Sequence, residues 1–249
     1  MIEVTGLGKT FSVTRKQKVT AIHDVSFHAE DGRVTGLLGP NGAGKSTTLR
    51  ILATLMQASS GTAVIDGYDV HTSPLDVRRR IGFLPHDSGI YPRLTARENV
   101  QYYADICGVP VRQSKQRIDE LIELLDMQDF ADRRAQGFSQ GQKTKVALAR
   151  ALVHNPKTLM LDEPTNGLDI MATRGLRNII RRLADEGHCV LFSSHIMQEI
   201  EALCDHIAVI SDGTVVIEDS LLGIRSNTGQ YNLEDAFVIA IGESLDTDP

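Results

Sequence analysis

Residues 39–47 read GPNGAGKST and follow directly on the apolar run VTGLL. No other stretch constrains the fold as much. It fits the pattern G-x-x-x-x-G-K-[ST] between a predicted strand and a predicted helix, the context in which such a motif carries chemistry. Glycine removes the Cβ that would keep backbone N–H groups away from an anion. The helix opening near Gly44 turns its positive end towards the same place. Lys45 can reach terminal phosphates, and the Ser46 hydroxyl can ligate Mg²⁺. The stretch reads as a nucleotide phosphate site set on a strand–loop–helix unit.

The chain around it is ordinary for a globular α/β protein. It has 249 residues, 41% hydrophobic and 23% charged, with a net charge of -6. That length suits one large domain or two small ones. The acidic balance argues against non-specific nucleic-acid binding. Cys107, Cys189 and Cys204 are odd in number and form no CxxC, so neither a disulfide framework nor a zinc cluster is expected, and a reduced, cytosolic setting is. The start lacks a signal pattern, and no apolar run nears the ~20 residues a membrane span needs.

Three regions follow from periodicity. In the first third, IEVTGL, AIHDVSFHA and RVTGLLG read as strands. Asp66-Gly67 and Asp212-Gly213 read as hairpin turns, which suggests a small antiparallel sheet beside a parallel one. From about 93 to 154 the pattern is helical. Thr95 with Glu98, and Ser139 with Gln142, fit capping boxes, and Pro156 ends the segment. The last third alternates: strand TLMLD, a helix through TRGLRNIIRRLADEG, strand CVLFSS, short helix IMQEIEALC, strand HIAVIS, and a closing helix in NLEDAFVIAIGE. Strand–helix–strand alternation predicts a parallel sheet covered on both faces. The regions read as lobes of one domain spanning 1–249, with a helical lobe at about 87–154 and a helical tail at about 220–249.

Three further segments carry chemistry. TLMLDEPT ends a buried strand in Asp162-Glu163, placing two carboxylates where open α/β sheets bind ligands. Asp162 suits Mg²⁺, and Glu163 suits polarising an attacking water. CVLFSSHI ends another strand in His195, which there could touch the γ-phosphate and hold the water or Glu163. FSQGQ, at 138–142, is an N-cap whose exposed Ser and Gly also make an anion site. It lies about 95 residues from the phosphate loop, at the start of a different helix. One phosphate chain could be held by both only if the second grip came from another copy.

GPNGAGKST, FSQGQKTKVALARAL, LMLDEPTNGLD and SSHIMQEIEALCD, in this order and spacing, resemble the ATP-binding cassette (ABC) ATPases over nearly the whole chain. The resemblance implies a P-loop fold with a RecA-like parallel-sheet core, an antiparallel β subdomain and an α-helical subdomain. It implies a head-to-tail dimer, homodimeric or with a paralogous cassette, with two ATP molecules between the phosphate loop of one copy and the serine-led helix of the other. Gly39, Pro40, Asn41, Gly42, Ala43, Gly44, Lys45, Ser46 and Thr47 would hold the phosphates. Ser139, Gly141 and Gln142 would contact the partner's γ-phosphate, and Asp169 would sit at the dimer seam. Phe11 falls where the family stacks an aromatic on adenine. Lys45, Glu163 and His195 would be catalytic.

The chain departs from the family's common signature, Leu-Ser-Gly-Gly-Gln, at Phe138 and Gln140. His86 stands where the family has a glutamine that contacts Mg²⁺ and senses the membrane partner. The segment GFLPHDSGIYPRLTARENVQYYADICGVP is similar to cassettes of bacterial export systems of the sodium-extruding and drug-export kind. The implied protein is the ATPase subunit of an exporter, peripheral on the cytoplasmic side of the plasma membrane. It would work with a separate integral membrane permease, and the 86–93 segment would form the docking edge. A soluble ABC protein of translation or DNA repair is the rival, disfavoured by a single cassette without a coiled-coil insertion. A P-loop kinase or GTPase leaves FSQGQ and His195 unexplained.

Overall fold

The structure is a computed structural model and describes residues 1–12, 17–87, 89–230 and 232–240. The chain runs β1 (Ile2–Ser12), β2 (Lys18–Ala29), β3 (Val34–Leu38), α1 (Lys45–Leu52), β4 (Ser60–Ile65), β5 (Tyr68–Asp69), α2 (Pro74–Arg80) and β6 (Ile81–Leu84). It continues through α3 (Ala96–Ile106), α4 (Val111–Leu124), α5 (Gln140–Leu152), β7 (Thr158–Asp162), α6 (Ile170–Asp185) and β8 (Cys189–Ser194). Last come α7 (Met197–Leu203), β9 (His206–Ser211), β10 (Thr214–Ser220), α8 (Leu221–Thr228) and α9 (Leu233–Ala240).

The strands form one sheet in the order β5-β4-β1-β2-β10-β9-β3-β8-β7-β6. Strands β9, β3, β8, β7 and β6 are parallel neighbours. Strands β2, β1, β4 and β5 are antiparallel. The two expected sheets are therefore continuous, and β10 is the seam. Its hairpin with β9 turns at Asp212-Gly213, and its outer edge pairs with β2 in parallel at Thr214 opposite Asp24. The Asp66-Gly67 hairpin belongs to the antiparallel end. One DG turn closes a sheet edge and the other joins two sheets. The dipeptide encodes a tight turn in both places and says nothing about the outer neighbour.

Central strands β3, β7 and β8 are buried at every residue. That is what parallel strands covered on both faces require, and it explains their continuous apolar runs. One side of the sheet packs against α3, α4, α5 and α6 in a single cluster that includes Leu38, Val100, Leu121, Leu148, Leu161 and Ile180. The other side packs against α1 and the antiparallel strands through Leu37, Leu49, Leu52, Met160 and Leu191. Each buried Leu or Ile contributes about 1.5–3 kcal/mol of transfer free energy. Neighbours Leu37 and Leu38 serve opposite faces because side chains alternate along a strand.

Both predicted capping boxes form. Thr95 Oγ1 accepts from Glu98 N at 3.1 Å, while Glu98 Oε2 accepts from Thr95 N at 2.8 Å. Ser139 Oγ accepts from Gln142 N at 3.2 Å, and Gln142 Oε1 accepts from Ser139 N at 3.1 Å. Helix α2 lay outside the sequence reading, although Ser73 followed by Pro74 is a helix-start signal. The tail holds two short helices, α8 and α9, broken by Gly229 at φ 68. Residues 241–249, which the closing-helix expectation also covered, lie outside the described residues, as does most of the basic loop after Phe11.

Candidate active site

Four adjacent strands deliver their carboxyl ends to one edge. Register places Leu38 opposite Ser194, Asp162 opposite Ser193, and Leu84 opposite Leu161. The residues that follow, Gly39, His195, Glu163 and His86, therefore converge although up to 156 positions separate them. A parallel sheet aligns its carboxyl ends, which is why ligands bind there.

The phosphate loop is shaped by close approach. A Cβ on Gly39 would lie 2.2 Å from the carbonyl oxygen of Ile210, and Gly44 holds φ at 109, a value that disfavours L side chains. Gly213 N donates to Ala43 O at 3.1 Å, so the turn between β9 and β10 braces the loop. Lys45 Nζ donates to the carbonyls of Gly39 at 2.7 Å and Pro40 at 3.1 Å. It lies 3.5 Å from Glu163 Oε1. These contacts hold a buried ammonium over its own loop.

Asp162 is buried and accepts from Ser46 Oγ at 3.1 Å and from Ser193 Oγ at 2.8 Å. Ser46 and Asp162 thus present hard oxygen donors side by side, the donor set Mg²⁺ prefers. Glu163 has φ 49, outside strand geometry, so β7 stops at Asp162. Its amide is held by Ser193 through the carbonyl oxygen at 3.2 Å and the hydroxyl at 3.0 Å. A positive φ at a glutamate is a local strain of about 1–2 kcal/mol that the surrounding bonds sustain.

Two histidines meet this carboxylate. His195 Nδ1 lies 3.3 Å from Oε1, and His86 Nδ1 lies 3.7 Å from Oε2. His86 therefore faces Glu163, while the contacts of the Ser46–Asp162 pair are with Ser193 and each other. The sequence reading missed Ser193, Ser194, Thr165 and Glu199. Buried Glu199 Oε2 accepts from Thr165 Oγ1 at 2.7 Å and from Ser194 Oγ at 2.8 Å. A Ser-Ser pair closing an apolar strand just before His195 was the available signal.

The serine-led helix tip lies elsewhere in the molecule. A Cβ on Gly141 would sit 3.3 Å from Ala172 Cβ, and one on Gly167 would sit 3.7 Å from Gln140 Cγ. Ser139 is thus next to the NGLD segment and the start of α6. Asp169 caps that helix, its Oδ1 accepting from Ala172 N at 2.8 Å. Phe138 fills the core and meets Phe130 edge-on at a centroid distance of 5.2 Å. Phe11 pairs with Val19, two residues before Ala21, whose carbonyl faces Gly44. That brings the aromatic to the neighbourhood of the phosphate loop.

A phosphate loop, a neighbouring aspartate–glutamate pair and a strand-end histidine define a P-loop nucleoside triphosphatase. The sequence profile described as "ABC transporter" matches residues 22–166, more than half of the chain. The ABC transporter ATP-binding protein NatA of Bacillus subtilis is 41% identical over 96% of this chain and 97% of its own length. The chain belongs to the ABC transporter family, as an ATP-binding, ATP-hydrolysing subunit. The daunorubicin/doxorubicin resistance ATP-binding protein DrrA of Streptomyces peucetius is 37% identical over 98% of this chain and 74% of its own. Among solved structures, an ATP-binding subunit of an ABC transporter superposes with a TM-score of 0.85 at 28% identity, covering 97% of this chain and 99% of that one. A dimeric cassette in a post-hydrolysis state with ADP and Pi gives 0.80 at 27% identity, covering 89% and 99%.

Proposed function

We propose that the chain hydrolyses ATP in composite sites shared by two copies, or by one copy and a paralogue, and so drives export through a separate membrane subunit. The observation that carries this is the separation of the two anion sites within one chain. Lys45 sits at the carboxyl edge of β3. Ser139 sits beside Asp169, next to Ile170 and Met171, which are 84% and 75% exposed. Two large apolar side chains left in water beside a serine-led helix tip make a surface suited to burial against a partner.

Lys45 exchanges its loop carbonyls for phosphate oxygens, and the residues of the 39–47 loop other than Pro40, which has no N–H, donate backbone N–H groups. Ser46 and Asp162 would hold Mg²⁺, and His86 would contribute through Glu163, 3.7 Å away. When bound, Mg²⁺ offsets charge on the phosphate oxygens. Phe11 stacks on the adenine. Glu163 accepts a proton from the attacking water, and His195 orients the carboxylate. The partner's Ser139, Gly141 and Gln142 take hold of the γ-phosphate. Loss of that phosphate removes contacts made by both chains, and the pair separates.

Among the described residues no helix is long and apolar enough to cross a membrane. In this reading a separate chain supplies the permease, and this subunit is peripheral on the cytoplasmic side of the inner membrane. Tyr91, Pro92, Arg93, Leu94 and Tyr102 line an open cavity of about 470 Å³ that serves as the docking edge. The relatives include the bacitracin transport ATP-binding protein BcrA and the drug-resistance protein DrrA, which supports a drug-like, hydrophobic solute as the cargo; Na⁺ is the alternative that the resemblance of the 82–110 segment to sodium-extruding cassettes raises.

Turnover of the purified chain measured across a dilution series tests the composite site. Specific activity falling with concentration, and an ATP-dependent dimer in Glu163→Gln, are the expected results. A monomer that hydrolyses ATP at constant specific activity would overturn the proposal.

A further inference from the structure

Towards the amino end of β3, opposite the end that leads into the phosphate loop, three strands bring two imidazoles and a carboxylate together. His206 opens β9 opposite Thr35, near the amino end of β3, whereas the loop follows that strand's carboxyl end. Glu218 lies on β10 and His28 on β2. The ligand atoms of His28, His206 and Glu218 all fall within 4.8 Å of one another. His28 Nδ1 is 2.6 Å and His206 Nε2 3.4 Å from the same Glu218 oxygen. The two rings are 4.8 Å apart, centre to centre.

We propose that His28, His206 and Glu218 form a binding site for a divalent transition-metal ion of the Zn²⁺ class, distinct from the Mg²⁺ site beside ATP. Two imidazoles and one carboxylate are the ligand set of borderline cations such as Zn²⁺, and they discriminate against Mg²⁺, which takes oxygen donors. Bonds of about 2.0–2.2 Å in a tetrahedral shell hold ligand atoms roughly 3.4 Å apart. The His206–Glu218 separation already matches. His28 is the side chain that adjusts, and it is 51% exposed and so able to turn.

Two further features fit a metal. The backbone N–H of His28 donates to Glu218 Oε1 at 2.8 Å, an outer contact of the kind that orients a ligating carboxylate. A small cavity of about 30 Å³, lined by His28, Glu30, Arg33, Thr35 and His206, adjoins the cluster. A water molecule needs about 10–15 Å³, so there is room for the fourth ligand. The cation in that lining does not oppose a metal, because Arg33 Nε is paired with Glu30 at 3.1 Å.

Position gives the site a structural meaning. Strand β10 pairs with β2 at Thr214 opposite Asp24. Four residues further along both strands Glu218 meets His28, and there the side-chain carboxylate accepts the amide of His28. An ion held by β2, β10 and β9 clasps the antiparallel strands to the parallel core.

The test uses untagged full-length chain, without nucleotide, titrated with Zn²⁺ against a chromophoric chelator. Co²⁺ absorption serves as a second readout. One equivalent is expected to bind at micromolar free metal, and the melting temperature should rise with Zn²⁺ and saturate. His28→Ala, a change at an exposed position, should weaken binding at least about tenfold, the loss expected when a metal's ligand environment is broken. His206→Ala should do the same. His86→Ala combined with His195→Ala should retain the equivalent. Failure to bind stoichiometrically, or binding that survives His28→Ala and His206→Ala, or binding lost only with the active-site histidines, overturns the proposal.

Discussion

Glu199 holds Ser194 through a 2.8 Å hydrogen bond inside the protein, one residue before His195. The same carboxylate oxygen holds Thr165, two residues after Glu163. One buried side chain thus ties the segment bearing Glu163 to the segment bearing His195. Glu199→Ala leaves both hydroxyls without their acceptor, so kcat should fall roughly tenfold with KM for ATP little changed, because a small misplacement costs rate more than binding. Glu199→Gln keeps an acceptor oxygen and should recover most of the rate. Equal losses in kcat and in ATP affinity would show a merely structural role.

Glu163→Gln removes proton acceptance and preserves shape. Hydrolysis should drop by about 10²–10⁴, the range for general base catalysis. ATP binding should survive, since Lys45 and the loop are untouched. Single-turnover measurements alongside equilibrium binding separate the two effects, and an unimpaired rate would remove Glu163 from its role.

Gly39→Ala places a methyl 2.2 Å from the backbone oxygen of Ile210, where neither partner can swing aside. Relief requires moving β9 or the loop. The variant should lose about 1–3 kcal/mol of stability, as overpacking usually does. It should bind ATP weakly even at temperatures where it remains folded. Denaturant unfolding and nucleotide titration check the two halves.

His154 gives a pH dependence with a definite sign. Its Nε2 contacts Ile81 O at 2.9 Å, Nδ1 is buried with no partner among the described residues, and burial lowers the pKa from its ordinary 6.5. The unfolded chain therefore takes up the proton first as pH falls. The neutral ring's contribution is fully present above 6.5, and it declines as pH drops from there towards the folded pKa. His154→Gln should flatten the stability profile in that window. A wild-type profile that is level below 6.5, or identical in the variant, contradicts this.

The three thiols should separate cleanly. Cys107 is exposed, Cys189 and Cys204 are buried, and burial pushes the Cys189 thiol up to about 11 and raises Cys204 as well. Thiolate is the reactive form. A disulfide reagent at pH 8 should modify one cysteine in the native chain and three after unfolding. Mass spectrometry of the native adduct should place the label on Cys107.

Much of this molecule was legible from local spacing. The phosphate loop, both capping boxes, the apolar central strands and the acidic pair after β7 are patterns within a few residues, and helices and strands write their periods at that range. The family resemblance rested on the same segments. What spacing does not carry is neighbourhood across the sheet. The DG turn at 212 looks like the one at 66, yet β10 is the seam, because its outer edge pairs with β2, a strand distant in sequence. His86, Glu163 and His195 meet because β6, β7 and β8 lie side by side in one register, and that register is set by packing α3, α5 and α6 against one face and α1 against the other. Glu199 and the His28–His206–Glu218 cluster stayed invisible for the same reason: a lone glutamate or histidine acquires meaning only from the strand or helix that the finished core places beside it.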